Sequence, residues 1–128
     1  MKTSIQYPQA EGMPTSQLPF SPAVRVGDLI FVSGQASVDA GGKIIPDTFE
    51  GEFRRSLDNL KKVLEGAGSD LRHVVQTRNY VRDPANLARY NELYREDFSA
   101  PFPTRTTVTN CLPPTLHYEV ECVAVVRE

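Results

Sequence analysis

Apolar positions recur along this chain in two periods, and the changes of period outline its elements. Phe49, Phe53, Leu57, Leu60, Val63 and Leu64 repeat at the spacing that lines one side of an α-helix. The stripe predicts a helix over residues 47–67. Asp47 or Thr48 can cap its start, and Gly66 or Gly68 can end it in a left-handed conformation. Upstream, residues 23–26 read as a short strand, Gly27-Asp28 as a turn, and residues 29–33 as a buried strand continuing to Val38. A polar loop follows at residues 39–43. Residues 73–81 predict a further strand, with Val75, Thr77, Asn79 and Val81 on one face and Val74, Gln76, Arg78 and Tyr80 on the other. Asp83-Pro84 is an N-cap followed by proline at the first helical position. The helix it opens, to about Phe98, turns Leu87, Tyr90, Asn91, Tyr94 and Phe98 to one side, and Pro101 and Pro103 stop it. Strands over 104–109 and 117–126 finish the chain. Pro8, Pro14, Pro19 and Pro22 make residues 1–22 an extended, turning arm. The order predicts an α+β fold in which two helices cover one face of a mixed sheet. All 128 residues form one domain in this reading.

The last strand adds a second expectation. Tyr118, Val120, Cys122, Ala124 and Val126 share one face, and His117, Glu119, Glu121, Val123 and Val125 the other. Both faces are largely apolar towards the C-terminal end. Two helices cover one side of a sheet, so the other side calls for a partner, most economically a second copy of the chain.

Charge narrows the partners. Fourteen Lys and Arg against sixteen Asp and Glu give a net charge of −2, without the basic excess that general nucleic-acid binding draws on. Cys111 and Cys122 are too few and unpatterned for a disulfide framework, and His73 and His117 form no metal-binding spacing. No apolar run reaches a membrane-spanning length, and the first residues carry no apolar signal segment. A cytoplasmic protein with reduced thiols and no metal is expected.

The candidate chemistry is then small. Arg105, Thr107 and Thr109 share a face of the penultimate strand, and Glu119 and Glu121 share a face of the last. If the strands lie close, Arg105 and Glu119 line one cleft. The arginine would clamp a carboxylate or phosphate, and the glutamate would position water or move a proton. An ion pair between strands or subunits explains the same spacing more simply. Asn91 on the apolar helix stripe reads as a satisfied polar core residue or a ligand contact. His73 suits a capping role, and Cys122 a small core hydrophobe. Arg54-Arg55 and Lys61-Lys62 read as a solvated helix face.

The chain resembles the RidA/YjgF/YER/UK family of reactive-intermediate deaminases, also called the endoribonuclease L-PSP family, from about Leu18 to Arg127. The pieces that carry the resemblance are residues 26–35 (VGDLIFVSGQ), 56–60 (SLDNL) with Gly66-Ala67-Gly68, 90–94 (YNELY), 102–108 (FPTRTTV) and 118–121 (YEVE). It implies a chorismate-mutase-like domain assembled as a homotrimer, with clefts between subunits. It implies hydrolysis of 2-imino and 2-enamino acids, such as 2-aminoacrylate and 2-iminopropanoate, to 2-keto acids and ammonia, with no metal or organic cofactor. Arg105 matches the arginine that grips the substrate carboxylate, and Glu119 the glutamate that holds the attacking water. Ser33 and Asn91 fall at cleft-lining polar positions. Phe20 stands in a Pro-Phe-Ser sequence where many members have Pro-Tyr-Ser, and Thr107 stands where the archetype has cysteine. A non-catalytic trimer that binds small carboxylates is the alternative that Phe20 suggests. An endoribonuclease or translation inhibitor is another, opposed by the charge and by the lack of a histidine pair.

Overall fold

The computed structural model describes residues 4–128. Strands β1 (Ile5–Gln6), β2 (Ala23–Val26) and β3 (Leu29–Ala36) precede helix α1 (Phe49–Gly66). Strand β4 (Val74–Val81), helix α2 (Leu87–Asp97) and strands β5 (Thr104–Thr109) and β6 (Tyr118–Val125) follow. They build one sheet in the order β1-β2-β3-β6-β4-β5. Only the pair β4–β5 is parallel, as a crossover through α2 requires; the others are antiparallel. The α+β architecture with two helices over one face of a mixed sheet is the one expected.

Helix α1 covers β3 and β6. Its stripe of Phe53, Leu57, Leu60 and Leu64 is fully buried, together with Ile30, Tyr118, Val120 and Ala124 of the sheet. Thr48 is the N-cap, its hydroxyl accepting from the Gly51 N–H at 3.1 Å, and Gly68 takes the left-handed turn (φ +92°) after the helix. Asp83 caps the one-turn 3-10 segment Pro84–Asn86 that leads into α2, accepting from the Ala85 N–H at 2.9 Å.

Three details depart from the sequence pattern. The arm is not wholly irregular: Ile5 and Gln6 pair with Val26 and Arg25, adding an edge strand too short to leave a periodic trace. His73 lies in the 3-10 segment Leu71–His73, outside β4, where its Nδ1 sits 2.7 Å from Asp70 Oδ1. In β4 the register shifts between Val74 and Gln76, which face Ala124 and Val123 of β6. That bulge turns Val74 into the core beside Thr77, Asn79 and Val81, and leaves Val75 44% exposed. A second bulge lies in β3, between Val32 and Gln35.

Among the described residues, no helix lies on the opposite face of the sheet from the core. There Phe31 pairs with Val24 and Val123, Leu29 pairs with Val125, and Phe31 and Leu29 are 45% and 42% exposed. Among the described residues no helix is long and apolar enough to cross a membrane.

Candidate active site

Arg105 pairs in register with Thr77 of β4, whose hydroxyl is 2.8 Å from Tyr94 Oη of α2. Arg105 therefore stands on the helix-covered side, at the edge of the sheet. Tyr90 and Tyr94, one helical turn apart, present their rings to it. The guanidinium carbon lies 4.9 Å from each ring centroid, an arrangement worth roughly 0.5–1 kcal/mol per ring when exposed.

Hydrogen bonds fix those rings from beneath. Tyr90 Oη is 2.8 Å from Thr107 Oγ1, Asn79 Nδ2 donates to Thr77 Oγ1 at 3.1 Å, and Tyr118 Oη donates to Asn79 Oδ1 at 2.5 Å. Thr77, Asn79 and Tyr118 are wholly buried. Burial pushes the Tyr90 phenol up to about 12, against smaller opposing effects of the Thr107 bond and the Arg105 charge. Both tyrosines thus stay neutral at pH 7 and set no negative charge against the arginine. Among the described residues it joins no ion pair. It borders a recess of about 230 Å³ with Asn91, Phe102 and Pro103.

Glu119 occupies a different part of the fold. On β6 it lies between Ala36 of β3 and Tyr80 of β4. Side chains alternate along a strand, so it points away from the helices while its neighbour Tyr118 points into them. The carboxylate fills the space over Gly34, in the β3 bulge, where an added Cβ would overlap it. Burial raises the Glu119 pKa, and the negative charge of Glu121 raises it further. Glu121 in turn accepts the Tyr80 hydroxyl.

A cavity of about 810 Å³ opens beside Glu119, bounded by the arm and by β3, with Phe20 in its wall. Ser33 donates its hydroxyl to the Ser21 carbonyl at 2.6 Å, and its N–H to the Pro22 carbonyl at 3.0 Å. It fastens the arm next to Phe20. Gly34→Ala should push the Glu119 carboxylate aside. Because the displaced group is the end of a flexible side chain, we expect only a small change in melting temperature, which thermal denaturation of the two proteins checks.

The structure thus sorts the sequence candidates into two groups. Phe20, Ser33 and Glu119 gather at one, and Arg105, Thr107 and Asn91 at the other. β4 separates β5 from β6, and Arg105 and Glu119 face opposite sides of the sheet. The single cleft drawn from strand spacing does not form within one chain, and neither does the strand-to-strand ion pair. Thr107 acts through its hydroxyl, on Tyr90. Three contributors escaped sequence reasoning: Tyr90 and Tyr94 as the arginine's seat, and Gly34 as the space for Glu119. The paired tyrosines flanking Asn91 were the available signal for the first two; for Gly34 it was a glycine inside an apolar strand pattern, which marks a bulge or a close approach.

With this geometry in view, relatives identify the class. The crystal structure of the Escherichia coli YjgF gene product superposes with a TM-score of 0.83 at 32% identity, covering 95% of this chain and 99% of that one. The fold is therefore that of the L-PSP structures. The family described as Endoribonuclease L-PSP matches residues 11–126, and the chain belongs to this RidA/YjgF family. Among its relatives, Protein mmf2, mitochondrial, of Schizosaccharomyces pombe is 38% identical over 110 residues, covering 83% of this chain and 86% of that protein. The 2-iminobutanoate/2-iminopropanoate deaminase of Mus musculus is 33% identical over 109 residues, covering 84% and 81%.

Proposed function

We propose that this protein is a cytoplasmic hydrolase that deaminates 2-imino acids and their 2-enamino tautomers, and that it works as a homotrimer with clefts between copies. The observation that carries the reading is the isolation of the two charged groups. Among the described residues, Arg105 is seated on two neutral rings with no acidic partner, and Glu119 is half-buried with no basic one. Neither finds among those residues the opposite charge that would make it structural. A second copy that brings its Glu119 to this Arg105 completes a site, and the uncovered apolar sheet face supplies a surface for that copy. The name of the mouse relative is in keeping with this chemistry.

In this reading Arg105 donates two parallel hydrogen bonds to the substrate carboxylate. Glu119 accepts a proton from water as its oxygen attacks C2 of the protonated imine, forming a neutral carbinolamine. Glu119 or solvent then protonates the amine nitrogen, the C–N bond breaks to release ammonia, and the hydroxyl proton passes to solvent as the C2=O bond of the keto acid forms. A non-catalytic carboxylate binder, which the missing hydroxyl at Phe20 favours, would bind keto acids without turnover. The ribonuclease reading gains little from the basic residues of the helices. Arg54, Arg89 and Lys61 are paired with Glu50, Glu96 and Asp97.

The test is keto-acid release from a 2-imino acid generated in situ by an amino-acid oxidase. Acceleration over spontaneous hydrolysis is expected, and its absence would remove the deaminase reading. The pH profile follows from Glu119. A base works deprotonated, so activity falls as pH drops through its pKa. Because that pKa is raised, the fall begins at higher pH than for an ordinary carboxylate. Glu121→Gln removes the neighbouring charge and should move the acidic limb of kcat/KM to lower pH.

A further inference from the structure

Arg105 shares its recess with a second cation. Arg95, in the last turn of α2, borders the same space of about 230 Å³, together with Asn91, Tyr94, Phe102 and Pro103. Asn91 and Arg95 stand four residues apart, so helix periodicity sets them on one side of α2. The recess is smaller than drug-sized sites, which run to roughly 300–1,000 Å³, and suits an acid of a few carbons.

The carboxylates of α2 are engaged with other cations. Glu92 lies 3.8 Å from Arg89, Glu96 lies 3.4 Å from Arg54, and Asp97 lies 3.1 Å from Lys61. Among the described residues neither Arg95 nor Arg105 joins an ion pair, and no Asp or Glu lines the recess. The helix dipole favours a cation in a last turn. That accounts for a basic residue on α2, but not for a recess that joins it to Arg105. Two guanidinium groups at one small opening repel each other, and each offers a planar pair of donors matched to a carboxylate. A monocarboxylate satisfies only one of them.

We propose that the recess takes a dicarboxylate, with Arg105 holding the carboxylate next to the imine carbon and Arg95 the one at the far end of the side chain. Arg95 is then a specificity-determining residue, and the preferred substrates are the 2-imino acids that correspond to glutamate and aspartate. The inference rests on the deaminase reading and names its substrate class. Both arginines belong to one chain, so this selectivity needs no particular placement of a second copy.

The experiment compares two five-carbon imines that differ at the far end. One is made from D-glutamate by D-aspartate oxidase, the other from D-norvaline by D-amino-acid oxidase. The glutamate-derived imine should show a kcat/KM higher by about five- to tenfold at low salt. The advantage should shrink as added salt screens the pair. Arg95→Gln removes the charge and keeps a good helix former, so the ratio of the two kcat/KM values should fall to near one. Arg95→Lys should restore part of it. A role at the helix end alone would lower the melting temperature and leave the ratio as it was. A ratio of one or less in the unaltered protein overturns the proposal, as does a ratio that Arg95→Gln leaves unchanged.

If no imine is hydrolysed above the spontaneous rate, the deaminase reading fails and the recess is judged by binding alone. In NMR titrations 2-oxoglutarate should then bind more tightly than 2-oxopentanoate, and Arg95→Gln should abolish the difference. Equal binding of the two, or a difference that survives Arg95→Gln, overturns it.

Discussion

Glu119→Gln is expected to lower kcat by about 10²–10⁴, the range for loss of a positioned acid–base group. Glutamine keeps the size of the side chain and fits the same space over Gly34, so packing is little altered. What is lost is the capacity to take a proton from water. Stability should hold or rise slightly, because a half-buried charge beside Glu121 is removed. A thermal melt in parallel with steady-state kinetics separates the two effects. A large loss of kcat with an unchanged melt supports Glu119 as the base, and near-normal kcat removes it from that role.

Arg105→Ala is expected to cost about 1.5–3 kcal/mol of substrate binding, the worth of a charged hydrogen-bonded pair, which lowers kcat/KM by about ten- to a hundredfold or more. The loss should appear mainly in KM, since the carboxylate is held in ground and transition states alike. Arg105→Lys should recover only part of it. A lysine ammonium neither spreads over both tyrosine rings nor donates two parallel bonds. Arg105→Ala and Glu119→Gln together also test the shared site. Unfolded and refolded together in equal amounts, they should regain activity in about a quarter of the sites if each site joins two chains of a symmetric assembly. No recovery would place both groups in one chain's site, against the geometry described above.

Much of the fold was legible because the amphipathic patterns are long. The stripe from Phe49 to Leu64 and the caps around it locate α1, and Asp83-Pro84 marks the approach to α2. Legibility failed where the backbone breaks period. One extra residue at Val75 exchanges the faces of Val74 and Val75, and the added residue around Ser33-Gly34 does the like in β3. Periodicity reads neither shift, and only the one in β3 carries a mark, Gly34. Glu52 was hidden for another reason. A helix glutamate is usually solvated, yet this one is 1% exposed and accepts the N–H groups of His117 (2.8 Å) and Asp47 (3.3 Å). Asp47 is close in sequence, but His117 lies 65 residues along the chain, so only the fold brings it to Glu52. The candidate site was legible in its residues, through resemblance, but not in its arrangement. Strand spacing gives the face a residue shares with its near neighbours, not whether two strands point to the same side of the sheet.

Cys122 gives the fold a reporter of its own opening. It sits on β6 between β3 and β4, is 4% exposed, and burial together with the charge of Glu121 pushes its thiol up to about 12. An alkylating reagent can reach it as a thiolate only when the central strand leaves the sheet, an event whose free energy approaches that of global unfolding. Cys111, in the loop after β5, is partly accessible. The two thiols should therefore react in sequence, Cys111 at the rate of a local loop motion and Cys122 at the rate at which the whole domain comes apart.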